Sequence, residues 1–200
     1  MAWPLSGWRE YWVNWQESDA KLLGGGKLCF PPKSFADDYG AILMSKIVKL
    51  LIAILICQMA GVVGSLFTSP SIPTWYATIK KPGFTPPNSV FGPVWIALFV
   101  LMGVSAYLVW DRGLENKNVK IALLVFGIQL ALNMLWSFLF FGLHSPLYAF
   151  FEIIVLWFAI LFTILNFLKV SKPAGLLLVP YIVWVSFAAI INFYIVRLNL

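Results

Sequence analysis

Five long stretches of the chain contain almost no charged residue, and they determine the architecture. Four are uncharged, and the other contains a single ionisable residue, Glu152. Each is close to the roughly 20 residues that cross a bilayer core as a helix. Because backbone groups in lipid must bond within the segment, and because no period-two alternation is present, helices are favoured over a barrel. The sequence therefore predicts an all-α membrane protein with five transmembrane helices. The predicted spans are about residues 47–67, 93–110, 119–141, 147–168 and 175–197.

Composition agrees with a protein that lies mostly in lipid. Hydrophobic residues make up 61% of the 200 positions and charged residues 11%, against roughly 25% charged residues in a soluble domain. The net charge of +6 comes from scattered basic residues, so no nucleic-acid partner is expected. Alternating topology puts every Lys and Arg except Lys80, Lys81 and Arg197 on the side of the N-terminus. The positive-inside rule then predicts a cytoplasmic N-terminus and a first loop outside.

Residues 1–43 differ from the rest of the chain. They contain several tryptophans and the Gly24-Gly25-Gly26 run, but no apolar stretch that could serve as a secretory signal. We interpret them as a poorly ordered N-terminal extension, with binding to the membrane surface as the alternative. The transmembrane domain is expected to comprise residues 44–200.

The first connecting loop, from Thr68 to Gly92, is the longest connection and is rich in proline. With Pro93 it contains six of the twelve prolines. Because proline fixes φ and lowers the entropy lost on ordering, this loop is predicted to form an ordered lid over the bundle mouth. The alternative is a spacer without a fixed shape.

Polar and aromatic side chains inside the spans indicate where a ligand could bind. At 1.5 Å per residue, Asn133 lies roughly 12 Å and Trp136 roughly 8 Å below the outer end of the third span. Counting in the same way puts Trp95, Glu152 and Asn192 in the same half of the bundle, beneath the lid. Buried polar groups need partners in lipid, so this depth predicts a pocket there.

Structural alternatives exist for each of these residues. Trp95 could anchor its helix in an interfacial aromatic belt. Asn133 and Asn192 could bond one helix to another, and Glu152 could extend to the interface instead of facing the bundle. Trp184 is too deep for an interfacial belt and must pack or line a cavity. Pro180 is expected to kink the fifth span.

No motif indicates hydrolysis, phosphate binding or a metal. The chain has one His, one acid inside a span and no Gly-rich phosphate loop. One His and two Cys cannot supply a zinc or iron site, so we predict no metal and no required cofactor.

Three runs of residues resemble the motifs of one membrane protein family, TspO/MBR, which includes the translocator protein and the tryptophan-rich sensory protein. The first-loop and second-span run is Trp75-Tyr76, Lys81-Pro82, Pro86-Pro87 and Pro93-Val94-Trp95. The third-span run is Leu132-Asn133, Trp136 and Phe140-Phe141-Gly142. The fifth-span run is Pro180-Tyr181, Trp184, Phe187-Ala188 and Asn192. The resemblance covers about residues 45–200 and excludes the N-terminal tail.

The resemblance implies a homodimeric five-helix bundle whose pocket opens beneath the first loop. It implies that the pocket binds porphyrins such as protoporphyrin IX, haem-pathway intermediates or other flat hydrophobic ligands. The family's pocket positions correspond here to Trp95, Asn133, Trp136, Trp184, Ala188 and Glu152, and we add Phe99 and Asn192 as ligand-binding residues. The lid residues are Trp75, Tyr76, Lys81, Pro82, Pro86 and Pro87. Phe99 stands where the family often has Tyr, which removes a hydroxyl.

Three functions are compatible with such a pocket. The leading one is a porphyrin-binding carrier, sensor or scavenger without enzymatic activity. The resemblance also implies an alternative, a light-dependent enzyme that degrades porphyrin with Trp95 and Trp184 as its reactive groups. A secondary transporter is the third, although no inverted repeat is evident and one acid within the spans is little for ion coupling.

Overall fold

Apolar helices account for most of the chain that the computed structural model describes, which is residues 33–200. Side chains are described from residue 40 onward, apart from residue 41. The bundle is a compact unit of residues 45–200. Residues 1–32, most of the predicted extension 1–43, lie outside the described residues, so the predicted boundary at residue 43 stays a prediction.

Within residues 33–200, five helical segments are long and apolar enough to cross a membrane, which confirms the predicted fold class. They are Ile42–Ser71, Asn88–Trp110, Lys117–Gly142, Pro146–Val170 and Lys172–Asn199. These segments are longer than the predicted spans, because helical hydrogen bonding continues into polar residues at the membrane interface, where hydropathy falls. The first helix, for example, continues through Thr68 and Ser69 to Ser71.

The helices are labelled here in chain order. They are α1 (Lys33–Ser71), α2 (Trp75–Thr78), α3 (Asn88–Trp110), α4 (Lys117–Ser137), a π-helical turn (Phe138–Gly142), α5 (Pro146–Val170), α6 (Lys172–Leu177) and α7 (Val179–Asn199).

Local sequence explains several of these boundaries. The side chain of Asn116 accepts a hydrogen bond from the backbone N–H of Asn118 at 2.9 Å and so caps the start of α4. Pro146 begins α5, at a position where its missing N–H costs nothing. The predicted kink at Pro180 is confirmed as a break: α6 ends at Leu177 and α7 begins at Val179. The proline ring would clash with the carbonyl four residues earlier if the helix were continuous.

The first and second spans cross at Gly103, where their backbones are in contact. A methyl group at Gly103 would lie 2.5 Å from Cα and 2.9 Å from the backbone N of Ile54. Real side chains do not approach so closely, so the crossing depends on a glycine.

The packed core and the hollow part of the bundle lie at different depths. The main core fills the half remote from the first loop, with Met102, Val109, Ile160 and Phe167 fully buried. A second, smaller cluster lies at the lid end and consists of Tyr76, Phe140, Ala149, Ile191 and Ile195. This cluster joins the first loop to the ends of the last three spans and leaves open space beneath it.

Candidate functional site

A cavity of about 480 Å³ lies in the lid-end half of the bundle. Its walls come from α1, α3, α4 with the π-helical turn, and α7, and Ile72 and Tyr76 of the first loop border it. Among the described residues, none of the lining side chains comes from α5. The volume falls within the roughly 300–1,000 Å³ typical of small-molecule sites.

Seven of the eight residues predicted to bind a ligand line this cavity. They are Trp95, Phe99, Asn133, Trp136, Trp184, Ala188 and Asn192. They come from three spans and meet because they lie in the lid-end half of the bundle and on inward faces. The geometry brings them together without showing what they bind.

Glu152 is the exception and corrects the prediction based on depth. Its side chain is only 8% exposed, so it faces the bundle and does not extend to the interface. It does not line the cavity, however. Neither carboxyl oxygen has a hydrogen-bond partner among the described residues. Depth fixes a residue's height along a helix but not the direction in which it points, and Glu152 is buried between helices outside the cavity lining.

Eight aromatic residues lie in the cavity wall. Trp95 and Phe99 lie with centroids 5.6 Å apart, and Trp136 stacks on Phe140 at 5.1 Å. Phe91, one turn before Trp95 on α3, meets Trp184 edge to face at 5.9 Å. Such contacts hold the rings in fixed orientations. The wall is therefore a set of flat apolar surfaces.

A buried polar chain links the third span to the fifth at the floor of the cavity. Asn133 Nδ2 donates to the hydroxyl of Tyr181 at 3.0 Å, and that hydroxyl donates to Gln129 Oε1 at 3.0 Å. The interpretation of Asn133 as a helix-linking residue is thus confirmed, and it also faces the cavity. Since these bonds fix its amide, Asn133 presents a polar group in one orientation.

Asn192 also joins helices, through both the oxygen and the nitrogen of its amide. Its Oδ1 accepts from the indole Nε1 of Trp136 at 3.2 Å, and its Nδ2 donates to the carbonyl of Pro146 at 2.9 Å. The helix-linking interpretation is therefore confirmed for Asn192. These two bonds fix the amide in one orientation in the cavity wall.

Trp184 differs from the other polar groups in the wall. Its indole Nε1 is buried and has no hydrogen-bond partner among the described residues. A buried donor without a partner costs free energy, roughly 1–3 kcal/mol. An acceptor on a bound molecule would remove that cost, so Trp184 is the group in the wall best suited to orient a ligand.

Sequence reasoning missed part of the site. Gln58 lines the cavity and donates from Nε2 to the carbonyl of Ile96 at 3.1 Å. It stood out as the one amide within the first span, and that signal could have placed it there. Phe91 was missed because it precedes the predicted start of the second span at residue 93, whereas α3 begins at Asn88.

The first loop is an ordered lid that contains the short helix α2. Tyr76 lies on the cavity, and its ring is covered by Lys81, whose Nζ lies 4.3 Å from the ring centroid and donates to the Tyr76 carbonyl at 2.6 Å. Burial raises the pKa of the Tyr76 phenol, which therefore stays neutral. Of the other predicted lid residues, Pro82 is buried and Pro87 directly precedes α3.

Trp75 fixes the beginning of the lid. Its ring stacks on His144 at 4.7 Å and meets Phe140 edge to face at 5.5 Å. His144 holds a left-handed backbone conformation, with φ of 51°. Nearby, Ser71 Oγ donates to the carbonyl of Phe141 at 2.8 Å. These contacts attach the first half of the lid to the end of the third span.

Comparisons with known proteins cover the bundle but not the N-terminal segment. Residues 53–198 match the model of the TspO/MBR family. The chain is 44% identical to the tryptophan-rich protein TspO of Chlorobaculum tepidum over 154 residues, 77% of this chain and 98% of the relative. It is 46% identical to the protein of the same name from Archaeoglobus fulgidus, over 76% of this chain and 98% of the relative. It is 37% identical to the translocator protein of Homo sapiens, over 68% of this chain and 82% of the relative.

Proposed function

This chain belongs to the TspO/MBR family of membrane proteins, and from that premise we propose that its cavity binds porphyrins such as protoporphyrin IX. In this proposal the protein acts as a carrier, sensor or scavenger of tetrapyrroles and needs no cofactor of its own. The observation that carries the proposal is the wall of flat aromatic rings around a cavity of about 480 Å³. A planar macrocycle can stack on such rings over a large area.

The hydrogen-bonding groups in the wall support a ligand with polar atoms on a flat apolar frame. Trp184 offers a buried donor without a partner among the described residues. Asn133 is held in place by Tyr181 at 3.0 Å, and Gln58 by the carbonyl of Ile96 at 3.1 Å. A few fixed polar groups of this kind orient a ligand, while the apolar wall supplies most of the affinity.

Charge favours one orientation of the porphyrin. Among the described residues that line the cavity, none is Asp, Glu, Lys, Arg or His. Burying a carboxylate there without a partner would be costly. Lys81 lies beside Tyr76 at the edge of the cavity. We therefore place the macrocycle inside and its propionates at the mouth, near the loop lysines.

Two further properties belong to the same proposal. The distribution of Lys and Arg supports an N-terminus in the cytoplasm and a lid on the outer side. We also expect a homodimer, as the resemblance implies, because exposed apolar side chains on the spans offer area for helix pairing in lipid.

The test is a titration of the protein in lipid nanodiscs with protoporphyrin IX in the dark, followed by tryptophan quenching. We expect saturable quenching and weaker binding for Trp95→Phe and Trp184→Phe. Trp110→Phe is the matched control, because Trp110 lies at the other end of α3 and does not line the cavity. An absence of saturable quenching in the unaltered protein would overturn the proposal.

A second candidate function is light-dependent porphyrin degradation. The observation that favours it is that Trp95 and Trp184, two oxidisable indoles, both face the cavity. Illuminating the loaded protein in air distinguishes the two functions. A new absorption band that forms only in light, and is lost in either variant, would identify an enzyme. Bleaching at the same rate in all variants would leave the binding protein.

A further inference from the structure

The side chain of Asn199, near the end of α7, holds the middle of the first loop. Its Oδ1 accepts a hydrogen bond from the backbone N–H of Lys80 at 3.0 Å, and its Nδ2 donates to the carbonyl of the same residue at 2.9 Å. One amide group thus satisfies both backbone groups of Lys80. Nδ2 also donates to the carbonyl of Ile195 at 2.8 Å, which fixes the side chain on its own helix.

A second contact joins the same part of the loop to α7. The ring of Phe84 meets Tyr194 edge to face at 5.4 Å and lies 6.4 Å from the ring of Phe187. The beginning of the lid is attached to the third span through Trp75 and Ser71. The second half of the lid therefore depends on α7, and Asn199 supplies the hydrogen bonds there.

We propose that Asn199 is a positioning residue that holds the lid closed over the cavity and sets how fast a ligand enters and leaves. The identity of the ligand rests on the function proposed above, but the attachment of the lid does not. Lys80 and Asn199 are exposed at the surface, where water can replace a broken bond. Such bonds are weak enough to open and reclose, as a gate requires.

Trypsin reports on the lid without any ligand. Lys80 and Lys81 are the only basic residues of the loop, and the bond after Lys81 precedes Pro82 and resists trypsin. The susceptible Lys80–Lys81 bond contains the carbonyl that Asn199 holds. In nanodiscs, where both faces are accessible, we expect Asn199→Ala to be cleaved there roughly tenfold faster, because two hydrogen bonds are lost.

Asn166→Ala is the matched control. Asn166 is a half-buried helical asparagine whose Nδ2 donates to a carbonyl of its own helix, that of Phe162, at 2.8 Å. Removing it changes a similar bond without touching the lid, so its cleavage at Lys80 should match that of the unaltered protein. Asn199→Asp keeps the acceptor for Lys80 N–H but loses the donor. Its rate of cleavage at Lys80 should lie between those of Asn199→Ala and the unaltered protein.

Exchange kinetics then test the gate. With protoporphyrin IX as the probe, Asn199→Ala should raise the association and dissociation rate constants together, each by roughly tenfold, and leave Kd nearly unchanged. General loosening of the bundle would instead raise Kd and lower thermal stability. Unchanged cleavage at Lys80 in Asn199→Ala would show that Asn199 does not hold the lid. Faster cleavage with unchanged exchange rates would overturn the gate, and absent porphyrin binding in the unaltered protein would overturn the ligand assignment alone.

Discussion

The indole N–H of Trp136 donates to Oδ1 of Asn192 across 3.2 Å, which joins the third span to the fifth at the cavity wall. The same asparagine donates to the carbonyl of Pro146 and so links the fourth span to the other two. At 1% exposure, Asn192 has no access to bulk water that could replace these bonds. Three spans therefore depend on one amide for their relative position at the lid end.

Replacing Asn192 by Ala should lower the free energy of unfolding by about 1–3 kcal/mol, because it leaves a buried N–H and a buried carbonyl without partners. The measurement is unfolding in mixed detergent followed by circular dichroism. A double-mutant cycle with Trp136→Phe should give a coupling energy of about 0.6 kcal/mol and at most about 1.7 kcal/mol. A coupling energy of zero would show that the Trp136–Asn192 bond does not contribute.

The crossing of the first two spans predicts a contrast between two glycines. Gly103→Ala should lower the free energy of unfolding by about 1–3 kcal/mol, because the new methyl group meets the backbone of Ile54. Gly127→Ala is the control, since nothing lies within 4 Å of a methyl group there. Its stability should stay the same or rise by up to about 1 kcal/mol. Equal effects of the two substitutions would contradict the close crossing.

Two tryptophans should lose different properties when they are changed to Phe. Trp184→Phe removes a buried donor that has no partner among the described residues, which favours folding, and it also removes ring contacts, which opposes folding. Because the two effects oppose each other, the free energy of unfolding should change by less than about 1 kcal/mol. Porphyrin Kd should rise about fivefold for the loss of one hydrogen bond.

Trp157→Phe should lower stability and leave porphyrin binding unchanged. Its Nε1 donates to Ser186 Oγ at 2.8 Å, away from the cavity. Stability should fall by about 0.6 kcal/mol, with Kd unchanged. Dark titration and detergent unfolding of both variants provide the test, and a loss of affinity in Trp157→Phe would count against the assigned cavity.

Glu152→Gln should leave porphyrin Kd within about twofold, because the side chain does not line the cavity. Its carboxyl oxygens have no partner among the described residues, and an isolated carboxyl inside a bundle is costly. The free energy of unfolding should therefore stay the same or rise. A fall of more than about 1 kcal/mol would reveal a partner that depends on the carboxyl group.

Sequence could predict the height of each site residue in the bilayer, but not the direction in which its side chain points. Hydropathy placed Trp95, Asn133, Trp136 and Asn192 in one half of the bundle, and the cavity wall contains all four. The same reasoning grouped Glu152 with them, although α5 contributes no lining residue among those described. Rotation about a helix axis follows from how neighbouring helices pack, and apolar residues on every side of a lipid-exposed helix hide that information.

The lid also has features that could not be predicted from the sequence. Its prolines predicted an ordered loop, and the structure adds the short helix α2. The bonds between Asn199 and Lys80 join residues 119 positions apart, and no local pattern in either segment indicates the other. Likewise, the π-helical turn at Phe138–Gly142 arises where Phe140 and Phe141 pack against the lid. These features follow from tertiary contacts and could not be read from propensity.

The cavity occupies only the lid-end half of the bundle, and the packed core closes it on the side remote from the lid. Beyond the lining residues the bundle is packed, with Tyr181 1% exposed and Met102 fully buried. Passage to the opposite surface would require several helices to separate at their best-packed level. On the function proposed above, a ligand would therefore enter and leave on the lid side of the membrane, and transfer to the other side would need a different conformation.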